Sequence, residues 1–165
     1  MNHLKSIVSW AIVLWACKVF LFSLPYKFTK HPDTEHIFGT IGQWISVTIN
    51  EALGTLFTKF GAYVVGSFEL ITSIVLLLPA LFWVLNKVGL RKSGSFRERF
   101  HAVGGLLASS VMVGAVFFHL FTPLGIEVLH NGKSDGGSLF YAAVSILLLG
   151  IVLFFLNWQG LKKQS

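Results

Sequence analysis

The 165-residue sequence has little cysteine, little charge and no familiar catalytic motif, and each scarcity excludes a class of protein. Its single cysteine, Cys17, permits no intramolecular disulfide, no paired-cysteine redox centre and no cysteine-rich metal site. Charged residues make up 12% of the chain against 54% hydrophobic residues, a balance typical of membrane proteins. The sequence also lacks a phosphate-binding loop, a nucleotide fingerprint, a nucleophile elbow and an HExxH motif. These absences favour a membrane protein without a recognisable catalytic signature.

The formal net charge of +6 does not indicate a nucleic-acid partner. The basic residues lie between and beside apolar runs, where lysine and arginine act as topology signals. We therefore expect the lipid bilayer, and no nucleic acid, as the main partner. The first apolar run continues past Cys17 to Leu24 without a small-residue cleavage site, so we interpret it as an uncleaved helix.

Four apolar segments predict an all-α polytopic membrane protein, because each is close to the ~20 residues that cross a ~30 Å hydrocarbon core. These segments lie at about residues 7–24, 62–85, 103–124 and 139–158. Together they predict a bundle of four transmembrane helices that forms a single membrane domain over residues 1–165. An even number of spans places both termini on one side.

The distribution of basic residues predicts which side that is. Seven of the 13 lysines and arginines lie in the loop after the second span and in the C-terminal tail: Lys87, Arg91, Lys92, Arg97, Arg99, Lys162 and Lys163. By the positive-inside rule this side is cytoplasmic, so we expect both termini in the cytoplasm.

The first loop on the outer side, from Pro25 to about Phe60, is too long for a simple connector. Apolar residues recur at helical spacing over residues 38–58, with polar residues between them. This pattern predicts an amphipathic helix, or two short ones, in the membrane interface. A fifth span is the alternative, but Gln43, Asn50 and Glu51 would interrupt it.

Glu69 lies inside the second span, where a carboxylate is costly, seldom faces lipid and usually marks a functional site. At helical spacing Gly66 and Ser73 share its face, and small polar faces pack against other helices. Small residues beside polar groups leave room that leucine would fill. We therefore expect a cavity lined by Glu69, His119, Gly66, Ser73 and Ala115.

Lys18 and His119 are the other ionisable residues inside the predicted spans. Counted from the nearest outer boundary at the helical rise, Lys18, Glu69 and His119 fall in one layer of the outer half. Lys18 is expected either to pair with Glu69 or to extend its long stem to the headgroups. His119 faces a close helix contact, which suits a hydrogen-bonded imidazole as well as a proton relay.

Two outer groups of histidines and acids resemble metal-binding sets but match no recognised ligand spacing. They comprise His31, Asp33, Glu35 and His36 in the first outer loop, and Glu127, His130 and Asp135 in the second. We interpret both as solvated loops and assign no metal site. Asp135-Gly136-Gly137 predicts a turn in which Asp135 accepts hydrogen bonds from the free backbone donors of the fourth span.

Several segments together resemble one group within the DoxX/DoxD family of small membrane proteins. The segments that carry the resemblance are residues 23–29, 31–34, 38–39, 63–70, 117–126 and 135–137. The resemblance implies a four-helix bundle in the bacterial cytoplasmic membrane. The family takes its name from a subunit of a thiosulfate:quinone oxidoreductase, although a shared fold does not transfer a reaction.

Three functions remain open at this point. In the first, the chain is a membrane subunit of a quinone-linked redox system, and a quinone-like ligand lies between its helices. Glu69 then accepts or passes protons, His119 donates to a ligand carbonyl, Lys18 balances charge, and a partner subunit supplies electrons. The second is a small proton-coupled transporter with Glu69 as carrier, and the third is a non-catalytic membrane scaffold. Any enzymatic role would be that of an accessory subunit.

Overall fold

The computed structural model describes residues 3–89 and 96–162, which form six helices and one short β-hairpin. The elements are α1 (His3–Phe28), α2 (Pro32–Thr48), α3 (Glu51–Lys87), α4 (Arg97–Phe121), β1 (Leu129–His130), β2 (Lys133–Ser134), α5 (Ser138–Asn157) and α6 (Gln159–Lys162). Helices α1, α3, α4 and α5 are long and apolar enough to cross a membrane, which confirms the predicted multi-pass all-α architecture. Arg91, Lys92 and Lys163, three of the residues used to predict the topology, lie outside the described residues.

The starts of α1 and α4 and the end of α5 lie at one end of the bundle, here called the terminal end. Lys5 Nζ forms a salt bridge with Glu98 Oε1 at 2.9 Å, and Arg99 Nε donates to the Gly160 carbonyl at 3.0 Å. The opposite end, here called the loop end, carries the α1–α2 and α2–α3 connections and the β-hairpin. The helices that run between the two ends enclose an apolar core in which Val13 is fully buried.

Helices α4 and α5 approach each other closely because glycines lie at their contact. A Cβ atom on Gly105 would lie 2.7 Å from the Gly150 carbonyl oxygen, so no side chain fits there without moving the backbone. One turn further along α4, Ser109 Oγ donates to the Leu147 carbonyl at 3.0 Å. Small residues and an interhelical hydrogen bond are the features that join helices in a membrane. Burial of apolar side chains alone does little there to favour contact between helices over contact with lipid.

Helix α3 is much longer than its predicted span, because it begins at Glu51 and not near residue 62. Its 37 residues make it about 55 Å long, against about 30 Å for a hydrocarbon core. The additional turns therefore extend α3 beyond the bilayer core. Helix α1 also continues past its predicted end at residue 24, through Pro25 to Phe28.

Residues 38–58, expected to form one amphipathic helix or two short ones, are divided between two helices. The chain turns at Ile49 and Asn50, and Asn50 Oδ1 caps α3 by accepting from the backbone nitrogens of Ala52 and Leu53 at 2.9 and 3.2 Å. Helix α2 then packs antiparallel along the start of α3, and a Cβ atom on Gly42 would lie 2.8 Å from the Gly54 carbonyl oxygen. The segment is therefore a helical hairpin whose second helix continues into the second span.

Candidate functional site

Glu69 lies in a closed polar group formed by α1 and α3. Its Oε2 atom accepts hydrogen bonds from Ser23 Oγ at 2.6 Å and from Lys27 Nζ at 2.7 Å. Lys27 Nζ also donates to Ser23 Oγ at 2.9 Å. The Lys27 and Glu69 side chains are only 15% and 5% exposed, so the ion pair is largely shielded from solvent. We refer to Ser23, Lys27 and Glu69 as the Glu69 site.

The extension of α1 past Pro25 is what brings Lys27 to this site. Cys17, Phe20, Ser23 and Lys27 follow one another at spacings of three or four residues, so they share the face of α1 that packs against α3. Pro25 lies in the last turns of the helix, where it lacks a backbone donor but does not end the helix. Lys27 lies about three turns beyond the middle of α1, and it still points toward α3 because the helix continues past Pro25.

Gly66 provides the space through which Lys27 reaches Glu69, and that space is filled. A Cβ atom at Gly66 would lie 3.3 Å from a ring carbon of Phe28 and 3.4 Å from Cβ and Cδ of Lys27. The expectation that Gly66 leaves an empty cavity beside Glu69 is wrong, because the aliphatic stem of Lys27 packs over the glycine.

Lys18 does not belong to the Glu69 site. It lies on the exposed side of α1, with Nζ 5.8 Å from the centre of the Trp15 ring. Its neighbour Cys17 is the residue that points into the bundle, where its thiol lies 3.9 Å from the Ser73 carbonyl oxygen. The predicted Lys18–Glu69 pair is therefore wrong, and Lys27 occupies the place expected for Lys18.

His119 is buried, but it lies in a different layer from Glu69. Its Nδ1 lies 2.6 Å from the Gly125 carbonyl oxygen and therefore donates to it, since a carbonyl only accepts. The neighbouring Phe118 ring lies 5.3 Å from the Phe57 ring, measured between ring centroids. Phe57 and Glu69 are twelve residues apart on α3, about 18 Å along the helix axis. His119 thus fixes the loop after α4 and does not reach the Glu69 site.

Ser73 and Ala115, the other expected lining residues, lie on α3 and α4 and have different surroundings. Ser73 is buried one turn from Glu69, and its hydroxyl donates to the Glu69 carbonyl at 2.8 Å. Ala115 packs against the apolar core on α4. The expected cavity shared by Glu69, His119 and these residues is therefore not formed.

An apolar groove between α1 and α3 lies next to the Glu69 site. It has a volume of about 200 Å³ and is lined by Leu21, Ser73, Ile74, Leu77, Leu78 and Leu81. Ile74 and Leu81 are 51% and 52% exposed, so the groove opens toward the surface that faces lipid. Ser73 belongs to the groove wall and is hydrogen-bonded to the Glu69 backbone, which joins the two features.

A second buried polar group, which the sequence did not indicate, lies at the terminal end. Ser9, His101 and Asn157 are fully buried, and Asn157 Nδ2 donates to Ser9 Oγ at 3.0 Å. Within the part of the chain that the structure describes, His101 Nδ1 and Nε2 and Asn157 Oδ1 have no hydrogen-bond partner. The sequence assigned no role to either residue: His101 lies two residues before the third predicted span, and Asn157 is the last residue but one of the fourth.

At the loop end, the two histidine and acid groups meet in one cluster. His130 Nδ1 lies 2.7 Å from Asp33 Oδ1, and the His36 and His130 rings stack with centroids 4.6 Å apart. The hydrogen bond from His130, with the His31 and His36 rings nearby, holds the pKa of Asp33 below its usual value. Across residues 3–89 and 96–162, no three His, Cys, Asp or Glu side chains are arranged to hold a metal ion. We refer to His31, Asp33, His36 and His130 as the histidine cluster.

Asp135 organises the segment between the hairpin and α5, as its turn motif predicts. Its carboxylate accepts from the backbone nitrogens of Val128, Gly137 and Leu139 at 2.8, 3.0 and 3.0 Å. Partial burial acts to raise the pKa of Asp135, but these hydrogen bonds outweigh it, and the pKa lies below its usual value. The carboxylate therefore ties the base of the hairpin to the first turn of α5.

Comparison with protein-family models, with curated proteins and with solved structures finds no match to this chain.

Proposed function

We propose that this chain is a small multi-pass membrane protein that binds a lipophilic molecule with a polar head, such as a quinone. In this proposal it is the membrane subunit of a quinone-linked redox system in the bacterial cytoplasmic membrane, and a partner subunit supplies the electrons. The resemblance to DoxX suggested this role from the sequence. The supporting observation is that an apolar groove open to lipid adjoins a buried polar site.

The groove and the Glu69 site together match an amphiphilic ligand. The leucine and isoleucine side chains of the groove suit an isoprenoid or acyl tail, because they offer no hydrogen-bonding groups that a tail would leave unpaired. Ser73 on the groove wall is one helical turn from Glu69, and Leu21 is two residues from Ser23. The Lys27 ammonium has three protons and donates two of them, to Ser23 and Glu69, so a polar head at the end of such a tail could accept a hydrogen bond from the third through a quinone carbonyl oxygen.

A non-catalytic scaffold is the second candidate, and the closed geometry of the ion pair favours it. Glu69 Oε2 already accepts from Lys27 and Ser23, so the site joins α1 to α3 without any ligand. Proton-coupled transport is the weakest of the three functions, since the carrier carboxylate would have to leave the salt bridge at each cycle.

The ligand proposal is tested by the lipophilic molecules that co-purify with the protein. The protein is extracted from a bacterial host directly into polymer nanodiscs, and the quinone content per protein is measured by mass spectrometry. Ile74→Trp fills the groove and should remove the bound quinone. Val113→Trp is the matched control, because Val113 is similarly exposed, at 55%, on α4.

Retention of quinone by wild type and Val113→Trp, with loss in Ile74→Trp, supports the ligand function. Equal quinone content in all three proteins, at the level of the surrounding lipid, rejects the groove as a binding site. In that case the scaffold function is left, and a stoichiometric co-purifying protein would support it.

A further inference from the structure

We propose that the outer face of α1, formed by Ala11, Leu14, Lys18 and Phe22, binds a transmembrane helix of another protein that carries an aspartate or glutamate near its middle. The observation that carries the inference is a lysine that points into the lipid near the middle of the bilayer, where this chain offers it no counter-ion. The inference does not depend on the proposed quinone, because it concerns the lipid-facing side of α1 and holds for a scaffold as well.

Lys18 lies on the side of α1 that faces away from the bundle. The preceding residue, Cys17, is buried against α3. The four residues of the outer face follow one another at spacings of three or four, so they lie on one side of the helix. All four are exposed, and Leu14 and Phe22 are 61% and 74% exposed, as expected for a face that meets lipid.

Helix α5 gives the depth of Lys18 in the membrane. Its 20 residues carry no charged side chain and span about 30 Å, the thickness of a hydrocarbon core. Its last residue, Asn157, donates to Ser9 Oγ of α1 at 3.0 Å, so Ser9 marks the level of one boundary. Lys18 lies nine residues after Ser9, about 14 Å along the helix, and therefore close to the bilayer midplane.

Nothing in the described part of the chain, residues 3–89 and 96–162, neutralises Lys18. It belongs to none of the salt bridges there. The Trp15 ring, whose centre lies 5.8 Å from Nζ, attracts the ammonium but brings no negative charge. From the midplane the headgroups lie about 15 Å away on either side, farther than the stem of a lysine side chain reaches. Charged side chains at this depth are usually paired or face the interior of a bundle, and Lys18 does neither.

The acidic residues of the chain show that a second copy cannot supply the counter-ion. Six of the seven lie in the first turns of α2, α3 and α4 or in the segment between α4 and α5: Asp33, Glu35, Glu51, Glu98, Glu127 and Asp135. The seventh, Glu69, is buried and paired with Lys27. Lipid headgroups lie at the bilayer boundaries, so a carboxylate at the midplane has to come from a transmembrane helix of a different protein. Ala11, two turns before Lys18, has a small side chain that lets such a helix approach closely.

Cysteine labelling tests the depth of Lys18. In a Cys17→Ser chain, Lys18→Cys should not react with a membrane-impermeant maleimide, either on intact cells or after the membrane is permeabilised. Thr29→Cys, which is exposed at the loop end, is the reactive control. Reaction of Lys18→Cys would place this position in water and overturn the proposal.

Photo-crosslinking identifies what covers the outer face. A benzophenone amino acid replaces Phe22, one turn from Lys18, and the protein is irradiated in the membranes of its own host. We expect a cross-link to a transmembrane helix with an aspartate or glutamate near its middle, identified by mass spectrometry. The same amino acid at Val113, which is 55% exposed on α4, should react mainly with lipid.

Variants separate an ion pair from simple helix packing. Lys18→Met removes the charge but keeps a long side chain, and should lower the cross-link yield at least about threefold, the effect of losing an interhelical polar contact in a membrane. Lys59→Met removes an exposed lysine of α3 and should leave the yield unchanged. Exchange of the two charges, with Lys18→Glu in this chain and lysine in place of the partner's carboxylate, should restore the cross-link.

The proposal is overturned if the probe at Phe22 reacts only with lipid or with a second copy of this chain. It is equally overturned if the cross-linked helix carries no carboxylate, or if Lys18→Met cross-links as the wild type does. Failure of the charge exchange to restore the cross-link rejects the ion pair and with it the proposal.

Discussion

At the scale of single residues, Glu69 is a buried carboxylate held in an ion pair. Glu69 is 4% exposed and has Lys27 and Ser23 against it. A charge left inside a membrane without a partner costs about 2.5–3.5 kcal/mol even on lenient insertion scales. The position of Lys27, two turns after Phe20 on the same face of α1, therefore determines whether α1 and α3 pack stably at the loop end.

Lys27→Met should destabilise the protein strongly, because it leaves Glu69 buried without a cation. Loss of one partner from a buried pair costs about 3–5 kcal/mol. Lys27→Met with Glu69→Leu removes both charges and should recover most of that stability. The measurement is the free energy of unfolding in mixed micelles, compared as a double-mutant cycle.

Lys18→Met is the matched control for this cycle, since Lys18 is exposed on the same helix and should change stability by less than about 0.5 kcal/mol. A larger effect of Lys18→Met than of Lys27→Met would mean that the wrong lysine is paired with Glu69. Equal stability of the single and double variants would mean that the pair contributes nothing.

At the scale of helices, the contact between α1 and α3 depends on Gly66. Gly66→Leu should displace the Lys27 stem and the Phe28 ring that pack over the glycine, and so separate the ammonium from Glu69. We expect destabilisation similar to that of Lys27→Met, about 3 kcal/mol. Unfolding in mixed micelles measures it.

Gly114→Leu is the control for Gly66→Leu, because Gly114 is also a helical glycine but has no atom within 4 Å of its would-be Cβ. It should leave stability nearly unchanged. If both leucine variants destabilise equally, the cost lies in the helices themselves and not in the Lys27 contact.

The sequence predicted the helices that span the membrane better than it predicted how they begin and end. Hydropathy locates α1, α3, α4 and α5 because a run of about 20 mainly apolar residues is typical of a helix that crosses the bilayer. The sequence left open whether residues 38–58 form one helix or two, because the apolar pattern continues across Asn50 at helical spacing. Only the antiparallel packing of Gly42 against Gly54 shows that two helices are present.

Only one member of the Glu69 ion pair was predictable from the sequence. Glu69 is conspicuous because carboxylates are rare in apolar runs. Its partner was misassigned because Pro25 was read as the end of the first span, which left Lys18 as the nearest lysine. Recognising that proline is tolerated in the last turn of α1 would have kept Lys27 on the helix and on the face of Cys17 and Phe20. The histidine cluster joins residues 97 positions apart, a pairing that no local pattern encodes.

At the scale of the whole molecule, the two ends of the bundle differ in charge. The terminal end carries basic residues, among them Lys5, Lys87 and Arg99. The loop end carries acids, including Asp33 and Asp135. Positive-inside asymmetry predicts that the terminal end faces the cytoplasm. The Glu69 site would then lie toward the outer leaflet, and the histidine cluster would face the medium outside the cell.

This orientation is tested by labelling single cysteines in a Cys17→Ser chain with a membrane-impermeant maleimide on intact cells. Thr29→Cys at the loop end should react from outside. Gln159→Cys at the terminal end should react only after the membrane is permeabilised, and both positions are exposed in the fold. The opposite labelling pattern would mean that the loop end faces the cytoplasm and the terminal end faces the medium. The histidine cluster would then face the cytoplasm, and the Glu69 site would lie toward the inner leaflet.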